Sequence, residues 1–106
     1  MSEREFLIYL DAEHKNRYRH RHIWEQAEIV EFRIQYEAYI AGRWHPIVRY
    51  DTAHGRPHKD TLYPDGEQVK EMYPGYSNAE MLTIGQRDIA ENWPRYRDRY
   101  KKEMEQ

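Results

Sequence analysis

The chain has 106 residues, with 17 lysines and arginines against 19 aspartates and glutamates, and no cysteine. That length holds one domain with one modest core, and the formal charge of -2 excludes a chain-wide pull toward nucleic acid or anionic membrane. Disulfides and thiolate chemistry are excluded outright.

Met1 leads into Ser2-Glu3-Arg4-Glu5-Phe6 rather than a basic, apolar leader, and no run approaches the length of a membrane span. The expectation is a single cytoplasmic domain over residues 1–106, with no cofactor and no membrane association. Ten tyrosines and three tryptophans against two phenylalanines predict a core rich in aromatics with polar tips.

Residues 6–10 (FLIYL) read as a strand, although Ser2-x-x-Glu5 also fits a capping box opening a short helix. Residues 16–24 alternate strictly. Arg17, Arg19, Arg21 and Ile23 fall on one face, and Tyr18, His20, His22 and Trp24 on the other. Residues 29–40 alternate more clearly still, with Val30, Phe32, Ile34, Tyr36, Ala38 and Ile40 on a dry face. Ala41-Gly42-Arg43 turns the chain into a strand over 44–50, where Pro46 implies an edge or a pairing that starts late. Residues 58–63 form a short strand, Pro64-Asp65-Gly66 a turn, and residues 67–72 the last strand.

Ser77-Asn78-Ala79-Glu80 has the form of a capping box. Met81, Leu82, Gly85, Ile89, Trp93, Tyr96, Tyr100 and Met104 then recur at helical spacing as one apolar stripe. The stripe stays in phase past Pro94, which predicts one long helix kinked there. The fold class is therefore α+β: an antiparallel meander of four to five strands, packed on one face by the C-terminal helix.

Two histidines and two aspartates gather at one corner, Tyr50-Asp51-Thr52-Ala53-His54-Gly55-Arg56-Pro57-His58-Lys59-Asp60. Much of it is turn chemistry: Asp51 suits an Asx-turn, Gly55 a positive φ, and Pro57 a fixed exit. A purely architectural corner is thus one reading. In a second, Asp51, His54, His58 and Asp60 gather round zinc or manganese, although no metal is assigned from this spacing.

The stretch GRWHPIVRYDTAHGRPHKDTLYPDG and the later IGQRDIAENWPRYRDRY resemble a family of small archaeal and bacterial proteins known only as a domain of unknown function. The likeness covers roughly the last two-thirds of the chain. More distantly, RYDTAHG with the following histidine resembles the signature of the TumE-type toxins of prokaryotic toxin–antitoxin pairs. That resemblance implies a toxin-like protein acting on RNA, with a small antitoxin partner.

On this reading His54 and His58 are the catalytic pair, passing protons as RNA is cleaved through its own 2′-hydroxyl, and Asp51 and Asp60 orient them. Arg49 and Arg56 bind the phosphate. Arg17, Arg19 and Arg21 form a phosphate track, unless acids on the neighbouring strand neutralise them. Trp93, Tyr96 and Tyr100 either pack in the core or anchor a protein partner or second copy. The contrasting reading is a non-enzymatic protein-binding module.

Overall fold

A computed structural model of the chain describes residues 1–106 apart from the side chain of His54. The strands are β1 (Ser2–Tyr9), β2 (Asn16–Glu25), β3 (Glu28–Ile40), β4 (Arg43–Asp51), β5 (His58–Leu62) and β6 (Gln68–Met72). A 3-10 turn, Ala53–Gly55, lies between β4 and β5, and one helix, α1 (Asn78–Met104), closes the chain. The six strands pair antiparallel in sequence order. The fold is the expected α+β meander, with one strand more than the expected maximum. Residues 2–9 are strand, paired with β2 from Ser2–Trp24 to Tyr9–Arg17, so Ser2 caps no helix.

Two-residue turns hold the long hairpins. Gln26 and Ala27 have φ of 49° and 66°, and Ala41 and Gly42 have 53° and 80°. Two successive left-handed residues give a turn whose twist matches that of the flanking strands. Pro46 does not place β4 at an edge. β4 pairs with β3 from Arg43 to Asp51 but with β5 only from Val48 onward, so Pro46 lies beyond the reach of β5.

The two faces of the sheet are fixed by register. Ile34, Tyr50 and Lys59 lie opposite one another on β3, β4 and β5, and this row meets α1. The next rows, Arg33–Asp51–His58 and Gln35–Arg49–Asp60, belong to the opposite face. On β3 the dry face holds Phe32, Ile34, Tyr36, Ala38 and Ile40, all buried. Val30 leaves it, 43% exposed, because the β2–β3 register shifts beside it, between Ile23 and Trp24.

Ser77 and Glu80 form the complete capping box that starts α1, which runs on through Pro94 to Met104 as one helix. It buries Met81, Leu82, Gly85, Ile89 and Tyr100. Full burial of aliphatic chains such as Met81 and Ile89 contributes about 1.5–3 kcal/mol each. Asp88 fixes the helix to the sheet. Its carboxylate accepts from Tyr50 Oη at 2.7 Å, Tyr96 Oη at 2.7 Å and Asn92 Nδ2 at 2.8 Å, with Lys59 Nζ 3.5 Å away. Burial alone would raise its pKa, but these donors and the Lys59 charge outweigh it and hold the carboxyl below its usual range.

Trp93, Tyr96 and Tyr100 are used on the chain's own sheet. Trp93 lies 6.2 Å from the Tyr36 ring, Tyr96 joins the Asp88 cluster, and the buried Tyr100 packs on His45. On β2, Tyr18 Oη shares a hydrogen bond with His20 Nδ1, and His20 Nε2 shares one with His22 Nδ1 at 2.6 Å. Burial, then the nearby His22 and Arg4, lower the His20 pKa from 6.5 to about 4.

Two outcomes follow for stability. A Cβ on Gly85 would lie 2.7 Å from Ile34 Cδ1 and 2.8 Å from Tyr50 Cγ. Gly85→Ala therefore lowers unfolding free energy in urea by about 1–2 kcal/mol, despite alanine's better helix propensity. His20 folds as the neutral ring, so its contribution is complete above pH 6.5 and is lost as pH falls toward about 4. The melting temperature drops across that window in the wild type, and His20→Gln flattens the slope.

Candidate functional site

The corner and the arginine ladder meet on the face of the sheet opposite α1. One extra residue on β4 brings this about. From Ile40–Arg43 to Glu37–Pro46 the β3–β4 pairing keeps one register, and it shifts between Tyr36 and Glu37 so that Tyr36 meets Val48. Ile47 is the bulged residue, and beyond it Arg33 rather than Phe32 faces Asp51. β5 continues the ladder, setting His58 opposite Asp51 and Asp60 opposite Arg49.

Asp51, His58 and Asp60 are buried, at 3%, 2% and 4% exposure. Asp51 Oδ1 accepts from Ala53 N at 3.1 Å, the Asx contact anticipated for the turn, and lies 2.8 Å from His58 Nε2. Its Oδ2 takes the Arg33 guanidinium at 3.0 Å. His58 donates from Nδ1 to the Arg56 carbonyl at 3.1 Å, and its Nε2 also stands 3.4 Å from Asp60 Oδ2. Thr52 ties the corner down by accepting from Phe32 N and donating its own amide to Phe32 O, both at 3.1 Å.

Arg33 borders an open cavity of about 500 Å³, together with Arg21, Glu31, Asp51, Thr52 and Ala53. Asp51 lines it, and the buried His58 ring contacts Asp51. Arg33 was not singled out by its sequence context, because only the shifted register shows that it faces Asp51. Arg49 donates from Nε to Gln35 at 2.8 Å, and burial, then the like charge of Arg33, lower its pKa.

The three arginines of β2 differ in their use. Arg17 pairs with Glu37 and stacks over Trp44, 3.7 Å from the ring centroid, and Arg19 shares Glu37. Glu37, itself buried, thus joins β2 to β3. Arg21 pairs with Glu3 at 2.7 Å and Glu31 at 3.1 Å while facing the cavity. Arg56 stands elsewhere, beside Met72, Tyr73 and Tyr76 at a second cavity. The side chain of His54, expected to share proton transfer with His58, lies outside the described parts of the molecule.

The class of protein is thus a six-stranded meander with one helix and a buried aspartate–histidine–aspartate cluster whose Asp51 borders an arginine-edged cavity. The chain belongs to the family described as Domain of unknown function (DUF7718), whose model matches residues 1–106. No curated protein and no solved structure matches it.

Asp51 holds Arg33, the Ala53 amide and His58 at once. Asp51→Ala leaves buried and half-buried partners without an acceptor and lowers stability in urea by about 3–5 kcal/mol. Asp51→Asn, whose amide oxygen still accepts, loses less.

Proposed function

We propose that the protein acts on RNA, with a phosphodiester entering the cavity beside the corner. The observation that carries this reading is the convergence of Arg21 and Arg33 with Asp51 on one cavity. Guanidinium groups match phosphate in charge and in paired hydrogen bonds, and Arg33 is half-exposed. The corner supplies the reactive groups. His58 reaches a substrate only through Asp51, because its ring is sealed and its two nitrogens face Arg56 O and the carboxylates. Its role is to position Asp51, while Asp51, Thr52 and Ala53 border the substrate space.

The likeness of Arg49-Tyr50-Asp51-Thr52-Ala53-His54-Gly55 and the following His58 to the TumE-type signature supports a toxin-like role in a prokaryotic toxin–antitoxin pair. A second reading keeps the corner architectural and makes the protein a non-enzymatic binding module. The sealing of His58 favours it. A protein partner would then meet the exposed side chains around β6, where Val69, Met72 and Tyr76 are each close to half-exposed.

Fluorescence anisotropy with a labelled single-stranded RNA separates the two. Wild type binds, and Arg21→Gln and Arg33→Gln each weaken binding and make the log–log salt dependence shallower by about 0.7, one phosphate contact. Arg56→Gln, at the other cavity, leaves affinity unchanged. Wild-type protein that fails to bind RNA even at low salt sinks the RNA reading and leaves the binding module.

A further inference from the structure

We infer that Asp51, His58 and Asp60 form a site for one divalent first-row cation of the zinc or manganese kind. One ligand atom from each residue lies within 4.8 Å of the others. The sheet fixes them there: Asp51 and His58 are register partners, and Asp60 is two residues along β5 on the same face. The site stands on these protein groups alone and holds whether or not RNA is the substrate.

His58 is oriented as metal-binding imidazoles are. Its Nδ1–H donates to the Arg56 carbonyl, an oxygen that can only accept, so Nε2 is the nitrogen turned toward both carboxylates. Nε2 lies 2.8 Å from Asp51 Oδ1 and 3.4 Å from Asp60 Oδ2. Neighbouring ligands bonded to zinc at about 2.0–2.1 Å stand about 3.0–3.4 Å apart, so small side-chain adjustments complete the set.

Asp60 supplies the independent observation. It is 4% exposed, and its Oδ1 has no hydrogen-bond partner among the described residues. Among the described residues its Oδ2 meets His58 Nε2, at the longer distance. His58 Nε2 stands nearer Asp51 than Asp60, and among the described residues no hydrogen bond reaches Asp60 Oδ1, so packing alone leaves that buried oxygen uncompensated. A cation seated among the three atoms satisfies both carboxylates and the ring together.

Arg49, the register partner of Asp60, gives its Nε to Gln35 and makes no hydrogen bond to Asp60 among the described residues. Arg33 holds Asp51 by Oδ2, leaving Oδ1 turned to His58. One imidazole with two carboxylates suits zinc or manganese better than the all-oxygen sets of calcium and magnesium or the thiolate sets of softer metals. Three protein ligands leave positions for water or a ligand oxygen, and one of the three residues, Asp51, borders the open cavity.

The test uses the full chain, stripped with chelator and titrated calorimetrically with zinc chloride and manganese chloride, with thermal melts alongside. Wild type takes up one equivalent and its melting temperature rises with the metal. Asp60→Asn weakens that uptake by about tenfold or more, while Glu13→Gln, at an exposed turn, does not. Nitrogen-15 NMR of the wild-type histidines keeps the inference testable should Asp60→Asn not fold, since added zinc shifts His58 Nε2. Absence of saturable uptake, uptake unchanged in a folded Asp60→Asn, or an unmoved His58 Nε2 resonance overturns it.

Discussion

The bulge at Ile47 is the constraint on which both halves of this molecule depend. Side chains alternate along a strand, so one added residue exchanges the faces of everything beyond it. With the register kept as it is at the Ala41-Gly42 turn, Asp51 would face Phe32 on the helix side, and Tyr50 would face Arg33. With the extra residue, Tyr50 joins Ile34 beneath α1 while Asp51 joins Arg33 on the other face. The same shift puts an aromatic ring into the core and a carboxylate into the polar ladder. Strand β5 inherits the consequence, because His58 and Asp60 pair with β4 only after the bulge.

Each face then solves its own electrostatic problem. Under the helix, Asp88 is half-buried but takes three donated hydrogen bonds, with Lys59 nearby, so its charge is well compensated. Lys59 is raised in turn, since burial lowers its pKa but Tyr96 and Asp88 more than offset this. That cluster works with the close approach at Gly85, where Tyr50 sits directly beneath the helix backbone. On the far face, Glu37 is likewise well served, taking Arg17, Arg19 and Gln35. Burial acts to raise its pKa, and these donors still hold it low. Asp60 is the exception among the buried carboxylates of the described residues, having an oxygen with no donor. Against two well-compensated acids, that contrast marks the corner as the place where packing alone does not complete the structure.

The elements were legible in the sequence because their periodicities are local. Strict alternation over residues 16–24 and 29–40 gave the long hairpin. The helical stripe from Met81 to Met104 gave α1, and the Ser77–Glu80 box placed its start. Asp51, His58 and Asp60 were also visible as a group, since they lie within ten residues of one another. Pairing of the β2 arginines with acids of the next strand was visible too, from the facing alternations, but the roles of Arg33, Asp88 and Lys59 were not, because each comes from a partner on another element. Pro46 pointed to an edge or a late-starting pairing, not to the extra residue at Ile47 that decides which side of the sheet Asp51 occupies. Val30 was assigned to the dry face for the same reason: its strand bulges where alternation alone predicts continuity.

The separation of the two faces bears on how the corner can work. The core contacts of α1 come from the Ile34–Tyr50–Lys59 side, so substitutions at Arg21 or Arg33 leave the helix interface untouched. The corner itself is less independent, since Thr52 and Asp51 close the end of the β3–β4 hairpin while Asp51 also borders the cavity. A group held by Arg33, the Ala53 amide and His58 together has little freedom to move. Such rigidity suits a site that holds a ligand in a fixed position, because little ordering remains to be done when the ligand arrives. It suits poorly a histidine that must swing between partners. The sheet holds His58 between the Arg56 carbonyl and two carboxylates, and of the three residues Asp51, His58 and Asp60 it is Asp51 that borders the cavity.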